Sequence, residues 1–218
     1  MRLIGISGKA GTGKSTLARS LKEMGFASSW VDFGDKLKEE CAEMFNFPLG
    51  WPYSEEGKER IILHQDLPMG SMRVRKILQW WGDYRRAQQP SYFVDKVRSW
   101  MEVNMPQSLI VADVRRKNEA QFILDEGGWL IRLEPHPGWK PGPYANHISE
   151  TDLDDWQQWH MVISPEFGDV PQMADLISKV IPRWEQLADE MQVSNAELAE
   201  AFDKDFDKIL LETVRDME

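Results

Sequence analysis

The chain has 218 residues, 42% of them hydrophobic, with a formal net charge of −10 and a single cysteine, Cys41. That length buries a sizeable core, while no run approaches the ~20 apolar residues of a membrane span, no signal peptide is expected ahead of the first strand, and one cysteine excludes an internal disulfide and fits a reducing cytoplasm. An acidic chain repels polyanions, which counts against a nucleic-acid polymer as partner and leaves small phosphorylated ligands open, since a local basic cleft outweighs an average.

Residues 3–6 (Leu-Ile-Gly-Ile) read as a short buried strand, and residues 15–24 as a helix with Leu17, Ala18 and Leu21 on one face. A short strand near 29–33 and a helix over 35–45 come next, then a loop over 46–57 marked by Pro48, Gly50 and Pro52. The chain is expected to be mostly helical to about residue 102; within that stretch Val74, Ile77, Leu78, Trp81 and Tyr84 share one helical face. Leu109-Ile110-Val111-Ala112-Asp113 is a continuous apolar run ending in a carboxylate, as in a buried parallel strand. A helix over 117–126 stops at Gly127-Gly128 and a strand covers 129–133. Four prolines (135, 137, 141, 143) then make the segment over 134–144 a loop. Met161-Val162-Ile163 reads as a last strand. From Pro171 the pattern is helical, with Met173, Leu176, Ile177, Val180 and Ile181 in one stripe, and Pro182 is expected to kink or end that helix. Ser194-Asn195-Ala196-Glu197 is a capping-box sequence opening a helix with Leu198, Phe202, Ile209 and Leu210 inward.

Strands alternating with helices predict an α/β fold, a mainly parallel sheet with helices on both faces and ligands at the carboxyl ends of the strands. The expected organisation is a core over 1–184, containing a helical region at about 35–102 and a loop at about 134–147, then an extension over 185–218. That extension holds eleven acids against three bases, Lys204, Lys208 and Arg215. It reads as a helical packing or homodimer surface.

The chemistry centres on Gly8-Lys9-Ala10-Gly11-Thr12-Gly13-Lys14-Ser15, which fits G-x-x-x-x-G-K-[ST] at every fixed position, between a strand and a helix. Glycines let backbone N–H groups curl around phosphate, and the helix N-terminus adds positive potential. Gly8, Gly11, Thr12, Gly13, Lys14, Ser15 and Thr16 therefore form the expected nucleoside triphosphate-binding set, with Lys14 on the terminal phosphates and the Ser15 hydroxyl on magnesium. Asp113 is expected to help hold the metal, or else to cap the turn after its strand. Arg115 and Arg116 lie on the same edge; one of them clamps a phosphate, or both are surface ion-pair arginines, the reading preferred for Arg116 alone. Residues 73–98 carry seven bases against two acids, and Arg75, Gln79 and Arg86 lie beside the apolar face. That offers guanidinium for phosphate and an amide for a base edge, although a basic helix is also commonly a solvated one. Asp35 and Lys38 start the second helix, where Asp35 reads as an N-cap. The loop over 134–146 is either a connection or a lid. The histidines at 64, 136, 147 and 160 have no metal-ligand spacing.

Several separated runs coincide with one family: residues 3–16, Phe33-Gly34-Asp35-Lys36-Leu37-Lys38, Arg75-Lys76-Ile77-Leu78-Gln79-Trp80-Trp81-Gly82, Asp113-Val114-Arg115-Arg116-Lys117-Asn118-Glu119 and His147-Ile148-Ser149-Glu150. In these the chain resembles the phage-type deoxynucleoside monophosphate kinases, within the P-loop nucleoside monophosphate kinase group. The phosphate loop is shared widely; the later runs, in this order, are more specific. The resemblance spans residues 1 to about 180 and omits the acidic tail. It implies magnesium-dependent transfer of the γ-phosphoryl of ATP to a deoxynucleoside 5′-monophosphate (dNMP), with Lys14, Asp113 and Arg115 at the transfer site. It also implies substrate contacts from Asp35, Lys38, Arg75, Gln79, Arg86, Arg116, Glu119, His147 and Glu150, with Asn118 and Glu119 alternatively fixing the turn that presents Arg115. His147, Ser149 and Glu150 would close the loop back on the site. One departure concerns the lid arginine: related kinases carry it at the lid entrance, and here it is either Arg132, displaced by two or three residues, or missing. Two rival readings are a P-loop kinase of another small acceptor, such as dephospho-coenzyme A or a nucleoside, and a DNA-binding regulator with a helix-turn-helix over 187–199. The second would present Glu197, Glu200, Asp203 and Asp205 to phosphates.

Overall fold

The computed structural model describes residues 1–164 and 170–202. The chain divides into two compact units, one formed by residues 1–31 with the chain from Pro106 onward, the other by Asp32–Met105.

The first unit opens with β1 (Arg2–Gly8), α1 (Lys14–Glu23) and β2 (Ser29–Trp30). The second unit opens with α2 (Phe33–Met44), a single 3-10 turn (Trp51–Tyr53) and α3 (Glu55–Lys58). It continues with β3 (Ile61–Leu63), β4 (Ser71–Arg73), α4 (Val74–Gln88) and α5 (Tyr92–Asn104). Back in the first unit come β5 (Ser108–Val114), α6 (Lys117–Asp125), β6 (Trp129–Leu133), α7 (Ile148–Thr151), β7 (Met161–Ile163), α8 (Val170–Met191) and α9 (Asn195–Phe202).

The first unit is a five-stranded sheet in the order β2-β5-β1-β6-β7, with every neighbouring pair parallel. A central parallel strand must be apolar on both faces, and β1 meets that condition in two ways. Ile4 and Ile6 point into the cluster built with Leu17 and Leu21 of α1 and Met173, Ile177, Val180 and Trp184 of α8. On the opposite face Gly5 leaves room for α6: an added Cβ would lie 2.8 Å from Ile123 Cγ1. Helices therefore cover both faces, as the alternation predicts.

In the second unit Cys41, Phe45, Phe47, Ile62, Leu67, Val74, Ile77 and Trp81 form a separate core. The mostly helical expectation needs a correction here, because β3 and β4 pair as an antiparallel hairpin. Its strands are three residues long with Ile61 and Leu63 outward, 63% and 80% exposed, so apolar periodicity does not announce them. Tyr84, expected on the buried face of α4, is also exposed.

Three further expectations change. The second strand is two residues long and α2 begins at Phe33, so its N-cap is Asp32 and not Asp35. Pro182 does not end α8, which runs through it with Ile181 and Trp184 buried on either side. The acidic segment starts inside that helix, where Glu185 makes a two-point ion pair with Arg2. The capping box is present, Ser194 and Glu197 exchanging side-chain hydrogen bonds, and Leu198 is buried. Ile209, Leu210 and the Phe202 side chain lie outside the described residues. Among the described residues no helix is long and apolar enough to cross a membrane.

Candidate active site

The loop after β1 has the backbone its glycines were expected to allow. Gly8, Gly11 and Gly13 have φ of 148°, 80° and 92°, a region that L side chains rarely enter. Gly13 is the N-cap of α1, so the first helical N–H groups open toward the loop. Thr12 is buried and its hydroxyl donates to Lys9 O at 2.9 Å, tightening the curl. Lys14, 6% exposed, donates to Gly8 O at 2.8 Å and Lys9 O at 2.7 Å, which holds its ammonium over the loop. Ser15 and Thr16 are exposed in the first turn.

Sheet register brings two more turns to this place. Ser7 is opposite Val114 of β5, and Gly8 is opposite Leu133 of β6, so both strands end beside the loop. Asp113 is half-buried at the end of β5. Arg115 and Arg116 form the following turn, and Glu119 fixes it: 1% exposed, its Oε2 accepts from the N–H of Arg115 at 2.9 Å and of Arg116 at 3.1 Å. Glu119 is the third residue of α6, where a carboxylate satisfies orphan N–H groups. The Arg116 side chain is buried, a correction to its reading as a surface ion-pair arginine.

The loop after β6 returns over this edge. His147 caps α7, its Nδ1 accepting from Ser149 N and lying 2.9 Å from Ser149 Oγ. The cap presents Glu150, whose Oε2 accepts from Ala10 N–H at 2.7 Å while Oε1 pairs with Arg115. Lys9 donates to Glu150 O at 2.5 Å and pairs with Asp154. The same segment reaches the α6 turn, with Asp152 accepting from Lys117 N–H at 3.0 Å and Asp155 pairing with the Lys117 ammonium. That mutual hydrogen bond holds the Lys117 pKa above its ordinary value and Asp155 below its own. Trp139, within the 134–146 loop, donates from Nε1 to Ala10 O at 2.8 Å. Arg132 pairs with Glu134, donates to Leu153 O, lies over the Trp159 ring and comes within 3.8 Å of Asp154, the carboxylate that pairs with Lys9 of the loop, with only 12% of its side chain exposed.

The other expected site residues belong to the second unit, in three places. Asp35 accepts from Asp32 N–H, from Lys38 and from the Tyr53 hydroxyl, each at 3.1 Å, and Lys38 lies over the Tyr53 ring. Burial and the neighbouring Asp35 push the Tyr53 phenol above its ordinary pKa. Arg75 is held by Glu59 at 2.8 Å and Glu55 at 2.5 Å. Burial by itself would lower the Arg75 pKa; the hydrogen bonds of Glu59 and Glu55 outweigh it and leave the guanidinium above its ordinary value. Gln79 is half-buried one turn further along α4. Arg86 stacks on Phe93 with 4.5 Å to the ring centroid. Cys41 is fully buried, and burial raises its thiol pKa far beyond reach of neutral pH, so it is no nucleophile.

Sequence reasoning did not single out Lys9, Trp139, Tyr53 or Asp154. Lys9 occupies a variable position of the loop motif, so no pattern marks it. The acidic run Asp152-Leu153-Asp154-Asp155 directly after His-x-Ser-Glu was a usable sign that cations lie opposite. Among the described residues no group of three or more His, Cys, Asp or Glu side chains is placed to hold a metal ion.

No family model matches the chain. It is 32% identical to a protein of Acanthamoeba polyphaga mimivirus named "Putative deoxynucleotide monophosphate kinase", over 75% of this chain and 88% of that one. Two solved structures are similar at lower identity. Shikimate kinase from Acinetobacter baumannii in complex with shikimate is 13% identical with a TM-score of 0.43, over 84% of this chain and 94% of that one. Shikimate kinase from Bacteroides thetaiotaomicron is 12% identical with a TM-score of 0.41, over 83% of this chain and 98% of that one.

Proposed function

Because this chain belongs to the deoxynucleotide monophosphate kinase family, we propose that it transfers the γ-phosphoryl of ATP to a deoxynucleoside 5′-monophosphate, releasing ADP and the diphosphate. The observation that carries the reading is the phosphate loop set between the ends of β5 and β6, with Glu119 fixing the turn that carries Arg115 and Glu150 linking the Arg115 side chain to the loop.

The loop N–H groups and Lys14 bind the donor phosphates. Arg115 lies at the transferred group, where charge spreads over the phosphoryl oxygens in a loose transition state. The donor set also fits magnesium: a hydroxyl at Ser15 and a carboxylate at Asp113 are hard oxygen ligands, and that ion is held by one or two such groups with phosphate and water completing its shell. When bound, the ion would neutralise phosphate charge. Arg75 grips the acceptor phosphate and Gln79 a base edge, with Asp35, Lys38 and Arg86 as further contacts. An acceptor phosphate is already an anion, so the reaction needs positioning and charge neutralisation more than a strong base.

The test is a coupled ADP-release assay with ATP, magnesium and each of the four dNMPs, with AMP, GMP, dephospho-coenzyme A and no acceptor as controls. Turnover with at least one dNMP that disappears in Lys14→Ala is expected; silence with all four dNMPs refutes the reading. Arg75→Ala should raise the acceptor KM at least tenfold and leave the ATP KM near its original value. An unchanged acceptor KM removes Arg75 from the acceptor site.

A further inference from the structure

The Glu150 carboxylate occupies a position that phosphate chemistry also requires. One oxygen takes the Ala10 N–H at the tip of the phosphate loop and the other takes Arg115, while the backbone carbonyl of the same residue takes Lys9. Its side chain is only 10% exposed, although the Ala10 N–H it takes lies at the exposed edge of the loop and Arg115 is half-buried. An amide N–H carries one hydrogen and gives a full hydrogen bond to a carboxylate or to a phosphate oxygen, and only a weaker shared one to both. Two anions at that distance also repel more strongly than in water.

We propose that Glu150 and the donor phosphates compete for the Ala10 N–H beside Arg115, so that nucleotide binding must draw the Glu150 carboxylate off the loop. This deepens the kinase reading and rests on it. Glu150 is then a positioning residue: it keeps Arg115 facing the loop until phosphate replaces it. The segment that carries it has its own anchorage, Asp152 on Lys117 N–H and Asp155 on the Lys117 ammonium, both on the α6 turn. Releasing Glu150 and Asp154 from the loop therefore need not detach the segment from the α6 turn. Lys9, freed from Asp154 and from the Glu150 carbonyl, becomes a second ammonium available to phosphate. The broken contacts subtract from apparent nucleotide affinity and couple donor binding to movement of residues 147–155.

The competition concerns phosphate only, which makes it separable from general loosening. The full chain is titrated calorimetrically with Mg-ATP, with tripolyphosphate and with adenosine, as wild type, Glu150→Gln and Asp154→Asn. Glu150→Gln keeps the side-chain shape and removes the charge; Asp154, 48% exposed, can change without threatening the fold. Glu150→Gln should bind Mg-ATP and tripolyphosphate about tenfold tighter and Asp154→Asn about threefold tighter, with adenosine unchanged in both. A glutamate that only supports structure, or that itself binds substrate, predicts weaker binding. Unchanged or weaker phosphate binding in the two variants, beside normal dNMP turnover in the wild type, overturns this inference alone. A wild type that neither binds Mg-ATP nor phosphorylates any dNMP overturns the kinase reading and the competition with it. Should Glu150→Gln fail to fold, the same titrations of Glu150→Asp, whose shorter side chain draws the carboxylate away from Ala10 N–H and Arg115, decide: tighter phosphate binding supports the competition, and unchanged or weaker binding overturns it.

Discussion

Glu119 offers the sharpest link between fold and turnover. Its carboxylate is 1% exposed and accepts two backbone N–H groups, from Arg115 and Arg116. Glu119→Ala takes the acceptor from both donors, a buried one at Arg116 and a part-buried one at Arg115. At about 1–3 kcal/mol for each buried unsatisfied group, the loss is about 2–6 kcal/mol. With a urea m-value of about 3 kcal/mol/M, the upper end of the usual range because m grows with chain length, the unfolding midpoint should fall by about 0.7–2 M. Arg115 leaves its position with the turn, and a displacement of about 1 Å in a phosphate-orienting group costs about 100-fold in rate. Glu119→Gln keeps an acceptor oxygen without charge, so it should recover most of the stability and part of the rate. The assays are urea unfolding by circular dichroism and the coupled ADP-release assay at saturating ATP and dNMP. Glu119→Ala that unfolds within about 0.5 kcal/mol of wild type, or that retains full kcat, refutes the claim that this carboxylate holds the turn.

Two further outcomes rest on single positions. Gly8→Ala combines a φ of 148° with a Cβ 2.6 Å from Leu133 O and 2.8 Å from Thr12 Oγ1, on the carbonyl of a paired strand that cannot give way cheaply. It should cost at least about 2 kcal/mol in chemical unfolding and abolish Mg-ATP binding, whereas Gly50→Ala, with nothing within 4 Å, should change neither. His160 accepts Leu130 N–H at 3.0 Å, and burial pushes its pKa down from 6.5 to about 4. The unfolded chain takes up this proton first, so stability present above pH 6.5 is lost as pH falls toward 4, by about 3 kcal/mol in all. Urea unfolding at pH 7.5 and 4.5 should show wild type losing more than His160→Gln by about 2.5 kcal/mol, since the folded state is still mostly unprotonated at pH 4.5; equal losses refute the assignment.

Much of the sheet unit is legible in local pattern. Residues 129–133 and 161–163 are strands with the expected bounds, because a buried parallel strand is a short continuous apolar run between breakers. The phosphate loop is legible for a different reason: curling backbone around phosphate needs glycines at set spacing, and that need is written in consecutive residues. The second unit is less legible. Its hairpin turns apolar side chains outward, and the cap of α2 moved from Asp35 to Asp32 because both are acids three residues apart and either suits the first turn.

The amino-acid sequence by itself determined the α/β alternation, the phosphate loop and the charged turn after β5, since each is set by interactions within a few residues. Only the tertiary structure decided which groups meet across the chain. Ala10 N–H meets Glu150 at a separation of 140 residues, Arg2 meets Glu185 at 183, and Arg132 turns to Glu134 and Leu153 and reaches the loop through Asp154. Such pairs depend on where the sheet places the ends of its strands. A chain with 36 acids and 26 Lys and Arg residues offers many equivalent pairings until the backbone selects one.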